Sequence, residues 1–131
     1  MKWKVRKSHL SGTIAPPPSK SHTIRAVLIA ALAGGTSEIR RPLPGSDGES
    51  ALRAAAALGA GVTRHEDAVR IEGVGGVVDK GDTGLFCGNS GTTMRLFTSA
   101  AALGARPRRF DGDASLRTRP MRPLLDALRE L

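Results

Sequence analysis

An internal repeat of about 70 residues constrains the fold of this chain more than any other feature, because repeats mark stacked copies of one supersecondary unit. The first copy runs from Ser21 to Leu58 and the second from Gly91 to Leu128. Each copy begins with a small-polar loop and carries an arginine early in its first helix. The matched positions include Arg25 with Arg95, Ala31-Leu32 with Ala102-Leu103, and Leu58 with Leu128.

The hydrophobic pattern within each copy predicts a helix, a short strand, a loop and a second helix. A hairpin with a Glu66-Asp67 turn follows the first copy. The full unit is therefore loop–α–β–α–β–β, and the fold class is α/β with a parallel or mixed sheet and helices on one face. The predicted helices are Ser21–Ala33, Glu49–Leu58, Thr92–Leu103 and Met121–Leu128; the predicted strands are Ser37–Arg41, Val62–His65, Val69–Glu72, Gly84–Cys87 and Arg108–Asp111.

Composition limits the core and the partners of the chain. Its 131 residues include three Phe, one Trp and no Tyr, so the core should be aliphatic and rich in alanine. The net charge of +8 favours an anionic partner, or else reflects solvated arginines in an Arg-rich proteome. Nucleic acid is the weaker of the anionic partners, because no aromatic residues lie among the scattered cations for base stacking.

The sequence predicts a cytoplasmic protein. A single cysteine, Cys87, excludes an internal disulfide and fits a reducing compartment. The basic start, Met1 to Lys7, is not followed by the apolar region of a signal peptide. No apolar stretch approaches the length that a membrane span needs, so no membrane partner is expected.

The first candidate site is the loop from Ala15 to Ser21. Its three prolines stop any upstream helix, and Ser19 or Ser21 can cap the helix that follows. The free N–H groups of a helix start favour an anion, to which Lys20 and Arg25 would add charge and a planar fork. The alternative is an ordinary capped helix with solvated Lys and Arg. The glycines of a Walker loop are absent.

The second candidate site is the loop from Gly88 to Arg95, which follows a predicted strand and opens a helix. Its two glycines allow a ligand to approach the backbone closely. Hydroxyl and amide donors are dense in it, which favours a binding role over a plain strand-to-helix turn. These donors belong to Asn89, Ser90, Thr92 and Thr93.

The third candidate site is the Arg-rich loop from Asp111 to Pro123. Pro120 is typical of a helix start, and Arg119 just before it should point toward the other two loops. Arg117 and Arg122 are interpreted as surface charge.

Other polar residues are assigned ordinary roles. The three histidines, His9, His22 and His65, show no metal-ligand spacing, although His22 lies within the first loop. Cys87 should be a core residue and Trp3 a core or edge-packing residue. Asp47 is interpreted as a helix cap first and a substrate contact second.

The three loops together resemble the enolpyruvyl transferases, and the EPSP synthase family in particular. That family's motifs S-K-S-x-x-x-R, G-N-[AS]-G-T-x-x-R and R-P stand here at Ser19–Arg25, Gly88–Arg95 and Arg119-Pro120. The related UDP-N-acetylglucosamine enolpyruvyl transferases carry K-N in the first loop and a reactive Cys before the R-P. This chain instead has Lys20-Ser21 and Ala114 at those positions. Beside Asp47 this chain has Gly48, whereas many relatives have a second acidic residue at that position.

The resemblance implies two similar domains, each built from three βαβαββ units. Residues 1–14 would form a first strand that belongs to the opposite domain. Residues 15–131 would form a partial, truncated N-terminal substrate-binding domain, because the second repeat lacks its hairpin. Full-length relatives are usually monomeric.

The resemblance also implies transfer of the enolpyruvyl group of phosphoenolpyruvate to shikimate 3-phosphate, without metal or cofactor. Lys20 would contact both substrates, and Ser21 and Arg25 the shikimate phosphate side. Gly91 and Arg119 would bind phosphoenolpyruvate, with Asn89 and Thr92 shaping that loop. Acid–base groups are expected beyond Leu131, so the isolated chain should be inactive. The alternatives are a non-catalytic module that binds phosphorylated metabolites and a nucleic-acid-processing relative.

Overall fold

The computed structural model describes residues 1–131 and places five helices and five strands after residue 19. The nine predicted elements lie within a few residues of their expected bounds. A short helix was missed, because four residues are too few to show a helical period. The helices are α1 (Lys20–Leu32), α2 (Ser46–Leu58), α3 (Gly91–Ala101), α4 (Ala114–Arg117) and α5 (Arg122–Arg129); the strands are β1 (Gly34–Arg40), β2 (Gly61–Arg64), β3 (Ala68–Val74), β4 (Gly84–Phe86) and β5 (Arg109–Asp111).

The strands form two sheets rather than the single parallel or mixed sheet that the sequence predicted. In the first, β3 lies between β1 and β2 and pairs antiparallel with both. In the second, β4 and β5 pair in parallel, with α3 as the crossover between them. The prediction was wrong because alternation of helices and strands leaves the pairing direction open, and the hairpin makes the first sheet antiparallel.

Helices α1 and α2 pack against one face of the three-stranded sheet, and α3 packs against both of these helices. Val69 and Ile71 are buried on that face, whereas Arg70 and Glu72 point to solvent. At Gly73 the strand approaches α1 so closely that a Cβ would lie 2.1 Å from the Ala33 carbonyl oxygen. Nine of the 17 residues in the main core cluster are alanine, which confirms the predicted aliphatic, alanine-rich core.

The burial pattern aligns α1 with α3 at a spacing of 70 residues. The match of Ala31-Leu32 with Ala102-Leu103 was therefore wrong by one residue, because Ala102 and Leu103 lie past the end of α3 and are exposed. The aligned buried pairs are Ile24 with Met94, Val27 with Phe97, Ala30 with Ala100, and Ala31 with Ala101.

The last helix of each repeat is buried to a different extent. Helix α2 contributes eight buried residues and ends at Gly59, whose φ of 107° suits a glycine cap. Helix α5 contributes none. Between α3, β5 and α5 lies a cavity of about 490 Å³, lined largely by apolar side chains such as Phe110 and Leu128. Helix α5 is therefore loosely packed.

Residues 1–19 form neither helix nor strand and are exposed throughout. The segment near Trp3–Ile14 pairs with none of the five strands, and its assignment to a strand of the opposite domain stays a prediction. Trp3 is 80% exposed, so a core role within this chain was wrong, whereas its edge-packing role stays a prediction. None of the helices has the length and apolar character to cross a membrane.

Candidate functional site

A polar cavity of about 330 Å³ lies where the N-termini of α1, α2 and α3 meet the turn between α4 and α5. No hydrophobic side chain lines it. The cavity joins five of the seven substrate-binding residues predicted from sequence and adds three others. Its lining residues are Lys20, Ser46, Asp47, Asn89, Gly91, Thr92, Arg95 and Arg119.

The start of α1 brings Lys20 to the cavity. Ser19 is the N-cap, as the sequence allowed, and its Oγ accepts a hydrogen bond of 3.4 Å from the His22 N–H. Lys20 is the first residue of the helix, and its Nζ lies 3.3 Å from Asp47 Oδ2. His22 is exposed and lies outside the cavity lining.

The start of α2 brings Asp47 to the cavity, and Asp47 is the only carboxylate in its lining. The N-cap is Gly45, which makes no side-chain capping bond, so the capping role expected for Asp47 was wrong. Asp47 lies instead in the first turn, where the helix dipole favours a negative charge, and it pairs with Lys20. Gly48 beside it is buried, and a Cβ there would lie 2.8 Å from the Leu43 carbonyl oxygen.

The start of α3 is a buried, capped turn. Ser90 Oγ lies 2.8 Å from Thr93 Oγ1 and accepts a 3.3 Å hydrogen bond from the Thr93 N–H. The preceding Cys87 is buried in a small core cluster, as expected, and burial raises the pKa of its thiol to about 11. This turn therefore holds Asn89, Gly91 and Thr92 on a fixed backbone.

Gly91, the first residue of α3, leaves space beside its backbone because it has no side chain. A Cβ at this position would lie 2.9 Å from Arg95 Nη1 and 3.0 Å from Arg119 Nη1. The glycine thus allows two guanidinium groups to stand over the first turn of α3. No carboxylate forms an ion pair with either of them.

The turn after α4 brings Arg119 to the cavity. Its Nη2 donates a 2.5 Å hydrogen bond to Asn89 Oδ1. Arg95 donates to the Gly91 and Pro120 carbonyl oxygens over 3.2 and 3.0 Å. Arg117 and Arg122 are exposed and pair with Asp111 and Asp126, as their interpretation as surface charge requires.

Two predicted site residues lie outside the cavity lining. Ser21 and Arg25 are one turn apart on α1, so they share a face of that helix. Arg25 is exposed and its side chain forms no ion pair or hydrogen bond.

Sequence reasoning left three lining residues out of the predicted site. Ser46 had no motif to mark it. Asp47 was interpreted chiefly as a cap. Arg95 was noted as a charge one turn into the second loop, and its i+4 spacing from Gly91 was the signal that could have included it.

The charge of the cavity suits a phosphorylated anion. Three cations, Lys20, Arg95 and Arg119, face one carboxylate, Asp47. The free N–H groups at helix starts add partial positive charge, and planar guanidinium groups match phosphate oxygens in pairs.

Residues 5–131 match the family described as EPSP synthase (3-phosphoshikimate 1-carboxyvinyltransferase). The chain belongs to the EPSP synthase family. The 3-phosphoshikimate 1-carboxyvinyltransferase of Methanothermobacter thermautotrophicus is 53% identical over the whole chain, and that of Acetivibrio thermocellus is 46% identical. The chain spans 31% of the length of each of these relatives.

Solved structures of the EPSP synthase family share the fold. An EPSP synthase from Acinetobacter baumannii superposes with a TM-score of 0.82 and 32% sequence identity. The superposition covers 91% of this chain and 27% of that one. The resemblance inferred from the three loop motifs is therefore confirmed at the level of family and fold class.

Proposed function

We propose that this chain supplies one part of the active site of a 3-phosphoshikimate 1-carboxyvinyltransferase, the part that holds the phosphate groups of both substrates. The observation that carries the proposal is the all-polar cavity, in which Lys20, Arg95 and Arg119 face a single carboxylate. Two phosphorylated anions repel each other, and cations fixed between them offset that repulsion in the ground and transition states.

The roles proposed for the side chains combine the family resemblance with the positions of the residues. Arg119 and the open first turn at Gly91 would bind the phosphate of phosphoenolpyruvate, with Asn89 orienting Arg119. Thr92 lines the same turn. Lys20, at the start of α1 and beside Asp47 of α2, would contact both substrates. Ser21 and Arg25, on the neighbouring face of α1, would bind the shikimate phosphate side.

The 5-hydroxyl of shikimate 3-phosphate loses its proton as its oxygen adds to C2 of phosphoenolpyruvate, while C3 gains a proton. The adduct then loses phosphate from C2 and a proton from C3, which restores the double bond. No residue of this chain is assigned to any of these proton transfers. The setting inferred for the reaction is the cytoplasm.

Calorimetric titration of the chain with phosphoenolpyruvate and with shikimate 3-phosphate tests the proposal. Lys20→Met should weaken binding of both ligands by about tenfold, the effect of one lost charge-assisted hydrogen bond. Lys80→Met is the matched control, because Lys80 is an exposed lysine outside the cavity lining. Equal affinities for the two variants would contradict the proposed site.

A module that binds phosphorylated metabolites without catalysis is the second candidate. One observation favours it: the cavity holds a single carboxylate, Asp47, and this carboxylate already pairs with Lys20 at 3.3 Å. Saturable binding without phosphate release, even after the remaining sequence of the Methanothermobacter relative is added, would support this candidate. Turnover by the chain would exclude it.

We also infer that residues 1–14 pair with a strand of a second domain. Apolar Met1, Trp3 and Val5 alternate with Lys2 and Lys4, which is the period of a half-buried strand, yet all are exposed here. Slowed amide exchange in this segment upon mixing with the remaining sequence of the Methanothermobacter relative would support the inference. Unchanged exchange would oppose it.

A further inference from the structure

Arg95 joins two loops that are distant in sequence. Its Nη1 donates a 3.2 Å hydrogen bond to the Gly91 carbonyl oxygen, and its Nη2 donates a 3.0 Å hydrogen bond to the Pro120 carbonyl oxygen. The first contact is within α3, and the second is to the turn that follows α4. The side chain is half-buried, so its conformation is restricted.

The Pro120 contact acts on the residue next to Arg119. The backbone of Arg119 is otherwise held by one hydrogen bond, from its N–H to the Leu116 carbonyl oxygen at 3.1 Å. Its side chain returns to the start of α3 through the 2.5 Å contact with Asn89 Oδ1. The two arginines therefore connect this turn to α3 at two points.

Apart from Arg95, the turn is supported by Leu116 of α4, which is buried against Met94 and Cys87. Helix α4 has four residues, and α5 has no buried residue. Helix α3, in contrast, belongs to the main core through Phe97 and Ala100. The rigid reference for the position of Arg119 is thus α3, and Arg95 is the side chain that joins α3 to the backbone of the turn by a hydrogen bond.

We propose that Arg95 is a positioning residue, which fixes the Arg119 guanidinium over Gly91 for the phosphate of phosphoenolpyruvate. The proposal rests on the proposed function for its ligand. Arg95 acts through the geometry of its planar fork, because it directs its donors to two carbonyl groups of different loops. A lysine would keep the charge but would not span both acceptors in this way.

A double-mutant cycle separates positioning from direct charge. Arg95→Gln and Arg95→Lys should each weaken phosphoenolpyruvate binding by about tenfold in calorimetric titrations, since each loses the fork. In an Arg119→Gln background, Arg95→Gln should have almost no further effect, because the group that it positions is gone. Arg122→Gln is the matched control, because Arg122 is exposed and pairs only with Asp126, at 3.6 Å.

A ligand-free readout makes the inference independent of binding. The side-chain amide resonances of Asn89 report its hydrogen bond with Arg119, so both Arg95 variants should shift them and Arg122→Gln should not. If Arg95→Gln fails to fold, Arg95→Lys replaces it, and thermal unfolding checks that Arg95→Lys is folded.

Unshifted Asn89 resonances in the Arg95 variants would overturn the proposal. So would full affinity in Arg95→Lys, or an Arg95→Gln effect undiminished in the Arg119→Gln background. If the wild-type chain bound no phosphoenolpyruvate, the proposed function would fail, whereas shifted Asn89 resonances would still support the positioning role.

Discussion

Helices α1 and α3 occupy the same place in the two repeats, yet they use equivalent residues differently. Their buried residues align at a spacing of 70, which makes Arg25 equivalent to Arg95. Arg25 is exposed and has no partner in the chain, whereas Arg95 is half-buried and bonded to the Pro120 carbonyl oxygen. The comparison teaches that a repeat fixes the face on which a side chain lies, while the adjacent loop decides what the side chain does.

The helix starts differ in a second way. The cap of α1 is Ser19, whereas the cap of α3 is Ser90, which is one residue later in the repeat. The extra residue at the start of α1 is Lys20, the cation that faces the cavity. The equivalent of the central Gly91 is Ser21, which lies outside the cavity lining.

The largest expected effect tests the packing of the two helices. Ile24→Ala should lower the free energy of unfolding by about 2–5 kcal/mol, because the side chain is fully buried in the main core. Met94→Ala, at the equivalent position, should cost less, since Met94 belongs to a cluster of three buried residues and also lines the 490 Å³ cavity. Urea unfolding of both variants measures the difference. Equal costs would mean that the two helices are packed equally well.

The next effect concerns binding rather than stability. Gly91→Ala should weaken phosphoenolpyruvate binding by more than about tenfold, because the new Cβ would displace the guanidinium groups of Arg95 and Arg119. The thermal midpoint should change little, since the displaced atoms are the ends of flexible side chains. Calorimetric titration and thermal unfolding check the two parts.

The matched control for Gly91→Ala is Ser21→Ala, the equivalent position in α1. It should leave phosphoenolpyruvate binding unchanged, because Ser21 does not line the cavity. Similar losses in both variants would show that the two helix starts share one ligand, and the contrast between the repeats would then be wrong.

Sequence predicted the local part of this site and missed the part that depends on contacts through space. The Ser19 cap, the buried Cys87 strand and the motif positions are encoded within a few neighbouring residues. The Lys20–Asp47 pair and the Arg95–Pro120 bond join different elements, 27 and 25 residues apart. Their partners depend on how the elements pack, which no local pattern specifies.

A smaller effect on anion binding is expected from Asp47. Its carboxylate restrains Lys20 of α1, as the Gly91 and Pro120 carbonyl groups restrain Arg95 of α3. Asp47→Asn should raise the affinity for inorganic phosphate by about two- to fivefold, because it frees Lys20 from a partly exposed ion pair. Asp126→Asn is the control, since Asp126 pairs with Arg129 on α5. Calorimetric titration measures both. Weaker binding in Asp47→Asn would mean that the carboxylate holds Lys20 where the anion needs it.

The smallest expected effect is on the pH dependence of stability. It compares the end of β1, which follows α1, with the end of β5, which follows α3. After α1, the Arg41 N–H donates a 2.6 Å hydrogen bond to the Asp67 carbonyl oxygen, a contact that does not titrate. After α3, Asp111 is held by Arg117, whose hydrogen bonds of 2.7 and 2.8 Å lower the pKa of the carboxyl to about 2 from 3.8.

A carboxyl whose pKa is lower in the folded chain stabilises it above the unfolded pKa and loses that contribution as the pH falls through the folded pKa. The wild-type chain should therefore lose a small part of its stability between about pH 4 and pH 2 that Asp111→Asn does not lose, since its side chain does not titrate. Thermal midpoints at several pH values across this window measure the difference, and Asp126→Asn, which leaves the Asp111 pair intact, is the control. Parallel pH profiles for wild type and Asp111→Asn would mean that the end of β5 is held, as the end of β1 is, by contacts that do not titrate.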